Sequence, residues 1–346
     1  MAESSKPTTT AGTAPANHEA MLARIKAARQ AILKELRKLI VGQDDAIDQV
    51  LIAMFAGGHS MIQGPSGTAK TILVAALAKV MDLEFKRIQF TPDLMPSDIS
   101  GTEILEEDRT TGHRFAKFVK GPVFSNIVMA DEINRTPPKT QAALLEVMQE
   151  KQVTIGGKTY PLPKPHYVLA TQISQEQEGT YPLTEAQQDR FMLSIAMGYL
   201  TDNEEVIVVR QSTGVGKVTL EKVMSGEDLI AFTMAVRDVV LPMTLGKYIV
   251  DLVTASRPTV DGAPKFIKDY VAWGAGTRAS QNIALAAKSA AAQDGRAVAG
   301  AADVRKAIVP VLRHRIGLSF RAEVDRVSVE EIVRKLVETV PEPKAV

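Results

Sequence analysis

The chain has 346 residues, 45% of them hydrophobic and 23% charged, which excludes wholesale disorder and collagen-like or coiled-coil architecture and suits a domain of roughly 200 residues plus a smaller one. Lys and Arg number 41 against 40 Asp and Glu, a net charge of +1, so no global field holds DNA or an acidic membrane, and a nucleic-acid partner is not expected. Zero cysteines remove disulfides, thiol catalysis and Cys-ligated zinc, and fit a reducing compartment.

Residues 1–17 hold Thr, Ser, Pro and Ala with no large apolar side chain beyond Met1, and the expectation is a disordered tail. The opening Met1-Ala2-Glu3-Ser4-Ser5-Lys6 has neither a basic nor an apolar region of a secretory signal, so a cytoplasmic protein is expected. From His18 an apolar stripe at Met21, Ile25, Ile32, Leu36 and Leu39 predicts a helix with Asn17 as its N-cap. The Val41-Gly42-Gln43 turn then leads to a second helix, Asp44 to Phe55. The longest apolar stretch, Val50 to Gly58, is far short of the ~20 residues that span a bilayer, so no membrane insertion is expected.

A short strand, Ser60 to Gln63, is followed by a loop with two glycines and an apolar helix, Thr71 to Met81. Phe85 to Phe90 reads as a strand. Thr91 to Val119 reads as an irregular insert with a hairpin signal at Thr110-Thr111-Gly112. The continuous apolar run Ile127 to Ala130 predicts a strand buried on both faces. Pro137-Pro138 opens a helix to Glu150. Val153 to Tyr160 reads as a hairpin turning on Gly156-Gly157, and strands at Tyr167 to Ala170 and Phe191 to Ala196 complete an α/β domain over residues 18–199. Beyond Tyr199 the strand signals stop. Thr201 with Glu204, Ser225 with Asp228 and Ser328 with Glu331 have helix-start spacing, so an all-helical domain is expected over residues 200–346.

Gly64-Pro65-Ser66-Gly67-Thr68-Ala69-Lys70-Thr71 follows the phosphate-loop pattern except that its last glycine is Ala69. Backbone N–H groups of such a loop surround the β- and γ-phosphates, Lys70 adds a point charge, and the Thr71 hydroxyl ligates Mg²⁺. Ala69 fits if its φ is that of an ordinary helix. The strand ending at Ala130 delivers Asp131 and Glu132 to the sheet's carboxyl edge, where ligands of open α/β sheets bind. Asp131 is expected to hold Mg²⁺ through water, and Glu132 to orient and deprotonate the attacking water.

These residues, with Phe90 to Gly101, Ala130 to Arg135 and Glu178 to Gln187, resemble the MoxR family of AAA+ ATPases over Ile40 to Pro341. The resemblance implies a P-loop NTPase with a parallel sheet core and a C-terminal helical lid, using ATP and Mg²⁺. It also implies a homo-oligomeric ring, typically hexameric, and chaperone-like remodelling of a client protein, often beside a von Willebrand A domain protein. Val41 and Gly42 join the nucleotide-binding set. Residues 91–119 become the family's helix-2 insert and 153–160 its pre-sensor hairpin, both facing the ring's pore.

The family's sensor 1 asparagine follows Ala-Thr-Gln, whereas Ala170-Thr171-Gln172 is here followed by Ile173. Isoleucine cannot donate to a phosphate, so the contact is lost or moves to Gln172 or Thr171, and slow hydrolysis or a partner-supplied polar group follows. Arg278 takes the place of the sensor 2 arginine, where an anion must offset its position at a helix N-terminus. Arg190 matches the arginine sent into a neighbour's active site; an intrachain ion pair competes for it, and Arg135 is the second candidate. The histidines share no ligand spacing, so no structural metal is expected. Arg313-His314-Arg315 reads as a solvated face. A nucleotide-gated scaffold with scarce hydrolysis and a helicase-like nucleic-acid motor remain the competing functions.

Overall fold

The computed structural model describes residues 15–107, 114–172, 179–214 and 218–343. Helix α1 (Pro15–Leu36) starts earlier than expected. Proline is tolerated in a first turn and Ala16 is a strong helix former, so Asn17 lies inside the helix instead of capping it. Residues 1–14 of the anticipated tail lie outside the described residues. Helix α2 (Asp44–Ala56) is buried on most of its surface, and strand β1 (Ser60–Gln63) follows with the bounds the sequence predicts. Next come α3 (Lys70–Val80) and β2 (Phe85–Gln89).

The short α4 (Pro96–Ser100) leads into β3 (Gly101–Glu107) and β4 (Arg114–Lys120), an antiparallel pair that forms most of the expected insert. The turn residues Thr110, Thr111 and Gly112 lie outside the described residues. Strand β5 (Ile127–Asp131) is buried along its whole length, and α5 (Pro138–Glu150) starts at a proline. Strands β6 (Gln152–Ile155) and β7 (Lys158–Pro161) form the expected hairpin, with Gly156 and Gly157 at φ 57° and 76°, the positive values a two-residue turn requires. Strand β8 (Tyr167–Gln172), the single-turn α6 (Glu185–Gln188) and β9 (Leu193–Ala196) close the α/β part.

Strands β2, β5, β8, β1 and β9 form one parallel sheet in that order. Register aligns Gln89 with Asp131, and Gln63 with Gln172, so the carboxyl ends of β2, β5, β8 and β1 share one edge. The crossover from β1 to β2 opens a crevice at that edge, and the phosphate loop lines it.

Helix α7 (Asp202–Thr213) leaves the sheet with no buried residue. Helices α8 (Gly226–Asp238), α9 (Met243–Ala255) and α10 (Lys265–Tyr270) follow. Here the structure corrects an expectation: β10 (Val271–Trp273) pairs antiparallel with β11 (Gly317–Leu318) inside the helical region. Runs of three and two residues are too short to show a strand period. Between them lie α11 (Thr277–Gln293) and α12 (Ala301–Leu312), and α13 (Phe320–Val324) and α14 (Val329–Thr339) end the fold. Ser225 and Ser328 cap their helices as the spacing predicts, each accepting from the N–H three residues on.

One apolar core runs from one face of the sheet through α1 and α2 into α8, α9, α11, α12 and α14; a second fills the other face under α5. The two amino-terminal helices are therefore packed between sheet and lid. Ser289 of α11 donates to the carbonyl of Ile52 in α2 at 2.8 Å, satisfying a buried hydroxyl across that contact.

Candidate functional site

A cleft of about 1040 Å³ opens at the carboxyl edge of the sheet. It is lined by the whole loop Gly64 to Thr71, by Asp131, Glu132, Thr171 and Gln172 from the strand ends, and by Val208 of α7. Every phosphate-loop residue expected from the sequence is there, together with both carboxylates.

Inside the loop, Lys70 Nζ donates to the carbonyls of Gly64 (2.8 Å) and Pro65 (2.6 Å). It forms no ion pair with a carboxylate among the described residues. Partial burial pulls the ammonium below its ordinary pKa, and the charges of Asp131 and Glu132 work against that shift. A desolvated cation without a contacting counter-charge, at the start of a helix and beside a turn with Gly67 at φ 84°, is a site for a polyphosphate.

Ala69 departs from expectation. Its φ and ψ are 64° and 20°, left-handed, so the ordinary helical φ assumed for it is wrong. The curl from strand to helix needs that conformation, and the methyl group costs roughly 1–2 kcal/mol there.

Asp131 is held from two sides. Arg87 of β2 donates to its Oδ2 through Nε at 2.9 Å and Nη2 at 2.5 Å, and Thr171 Oγ1 donates to its Oδ1 at 2.6 Å. Glu132, at φ 59°, accepts from Gln89 Nε2 at 3.1 Å and from Arg135 Nη1 at 2.9 Å. Its own N–H donates to Thr171 Oγ1 at 2.8 Å. Arg135, the second candidate for a trans-acting arginine, thus engages the glutamate of its own chain. Arg87 and Gln89 were not singled out from the sequence. Their i, i+2 spacing on a strand is the signal that both face the carboxylates of the neighbouring strand.

The donors suit Mg²⁺. Thr71 and Asp131 offer only oxygen, which a hard cation prefers, and few protein ligands are needed when phosphates supply the rest. Among the described residues no cluster of three His, Cys, Asp or Glu side chains forms a self-sufficient metal site.

The other expected residues are placed variously. Gln172 accepts from Gln63 Nε2 at 3.2 Å at the rim of the cleft, and Ile173 is outside the described residues. Val41 and Gly42 do not line it; a side chain at Gly42 would meet Leu200 and Glu204, at the entry to α7. Arg190 is exposed, and its guanidinium has no partner among the described residues, so the intrachain ion pair is not formed. Arg278 is paired with Asp189, Nη1 to Oδ2 at 2.7 Å, and that carboxylate supplies the anion its first-turn position calls for.

Arg313-His314-Arg315 is not the solvated face expected. Arg315 is 5% exposed and His314 is half-buried, because the residues after α12 pack on the segment that enters β9. A helical charge pattern does not reveal what lies against a helix end.

A nucleotide crevice of this topology, with a cationic loop facing two strand-end carboxylates and a helical lid beyond, defines a P-loop ATPase of the AAA+ class. Residues 59–193 match the ATPase family associated with various cellular activities (AAA), and residues 265–336 match the AAA lid domain. The chain is 40% identical over 330 residues to Chaperone MoxR1 of Mycobacterium tuberculosis, covering 95% of this chain and 86% of that one. It is 30% identical over 342 residues to Protein MoxR of Methylorubrum extorquens, covering 94% and 98%. A solved structure, a putative ATPase from Cytophaga hutchinsonii, superposes with a TM-score of 0.87 at 41% identity and covers 95% of this chain and 99% of that one. The chain belongs to the MoxR family of AAA+ ATPases.

Proposed function

We propose that this chain hydrolyses Mg-ATP in a homo-oligomeric, hexameric ring and uses the energy to remodel a client protein, with a von Willebrand A domain protein as the partner class to test first. The observation that carries the reading is the single cleft in which Lys70 and the loop amides face Asp131 and Glu132. Thr71, and Asp131 through water, would hold Mg²⁺, which would supply charge neutralisation for the phosphates. Lys70 leaves the carbonyls of Gly64 and Pro65 for the phosphate oxygens. Glu132 takes a proton from the attacking water, which requires its release from Gln89 and Arg135. Arg190 serves the neighbouring site, and Arg278 reads nucleotide state from the lid.

The two side chains on Glu132 also favour slow basal turnover, since the carboxylate must give up both hydrogen bonds before it can accept one from water. That agrees with an isoleucine at position 173 and keeps a nucleotide-gated scaffold as the second reading. Glu132→Gln separates chemistry from binding. It is expected to retain ATP affinity while turnover falls by about 10²-fold or more. Near-wild-type turnover in that variant removes Glu132 from the role.

A further inference from the structure

Arg315 follows α12 and spends almost all of its donors on one short segment. Nε donates to Asp189 Oδ1 at 2.7 Å, Nη2 to the carbonyls of Asp189 (3.0 Å) and Phe191 (2.6 Å), and Nη1 to the carbonyl of Met192 at 3.1 Å. The remaining bond goes back to the Val311 carbonyl at the end of α12. His314 Nε2 also meets the Phe191 carbonyl, at 3.1 Å, and Arg313 binds the Ser194 carbonyl. The segment is thus gripped on both sides of residue 190, while Arg190 projects to solvent.

This grip has a physical purpose if Arg190 acts in trans. A long side chain can be placed within the tolerance of a reacting centre only when its backbone is fixed. The preceding α6 is one turn of four residues, too short to be stiff alone. A guanidinium fork supplies what the turn lacks, several fixed donors in one plane. Burying its charge requires a counter-ion, and Asp189, which accepts from it at 2.7 Å, is its ion-pair partner among the described residues. The second oxygen of Asp189 is taken by Arg278, so one carboxylate joins α11, the end of α12 and the backbone that carries Arg190.

We propose that Asp189, clamped by Arg315, is the positioning residue that presents Arg190 to the neighbouring subunit. This rests on the reading of Arg190 as a trans-acting arginine, and a mixed-ring experiment separates the two claims. Lys70→Ala subunits have no working site but still donate Arg190; Arg190→Ala subunits have a working site but donate nothing. Their one-to-one mixture is expected to regain ATPase activity above either component. Placing Asp189→Asn in the Lys70→Ala donor should lower that regained activity at least about tenfold, the scale on which misplaced catalytic groups cost rate. The same substitution in the Arg190→Ala acceptor should cost at least about threefold less than in the donor. Equal losses on both sides, or no loss on the donor side, overturn the positioning role. A control mixture that regains nothing overturns the trans reading and the proposal with it. Should Asp189→Asn fail to fold, Arg315→Lys in the donor, which keeps the charge and loses the fork, must show the same asymmetry.

Discussion

Ala69 occupies a left-handed conformation at the mouth of the phosphate loop, where glycine is the unstrained residue. Ala69→Gly is therefore expected to raise stability by about 0.5–1 kcal/mol, the relief of strain being partly offset by a more flexible unfolded chain. Urea denaturation checks the sign, and a loss of stability would show that the loop stores no strain at this position. Lys70, Asp131 and Glu132 were legible in the sequence because their chemistry is written in local spacing. Arg87 and Gln89 were not, because they reach Asp131 and Glu132 through pairing between β2 and β5, strands whose register places Gln89 opposite Asp131. The conformation of Ala69 also escaped, since a single φ leaves no trace in residue type when the glycine has been replaced.

Among the elements, β1 and β8 begin beside two half-buried imidazoles. His59 accepts from the Val168 N–H at 3.0 Å, and its other nitrogen lies 3.3 Å from the Met148 carbonyl. His166 Nδ1 lies 2.8 Å from the Ser125 carbonyl. Burial, reinforced by the charge of His166, pushes His59 from 6.5 down to about 3, and burial lowers His166 as well. The unfolded chain takes up these protons near pH 6.5 while the folded chain refuses them. Their stabilising effect is thus complete above pH 6.5 and lost as pH falls toward 3. His59 alone should remove about 2 kcal/mol of stability between pH 6.5 and 5. Denaturation midpoints that stay level over that interval would contradict the buried neutral state. Element positions were otherwise well marked: the apolar run at Ile127 and the Gly156-Gly157 turn each gave their strand or hairpin. The β10–β11 ribbon was hidden because two and three residues carry no period. The start of α1 was misplaced because Asn17 imitates a cap.

Across the whole molecule, the sheet with its α3 helix and the lid are joined by one continuous apolar core and by the arginine grip on residues 189–192. None of that long-range fit is legible in the sequence: Arg313-His314-Arg315 looks solvated until the start of β9 is laid against it. The account depends on a triphosphate bound at the Lys70 loop, and equilibrium titration of the intact protein with Mg-ATP tests this most directly. Saturable binding is expected, weakened at least about tenfold by Lys70→Ala, the loss appropriate to a charged hydrogen bond. No saturable binding, or unchanged affinity in Lys70→Ala, would contradict it.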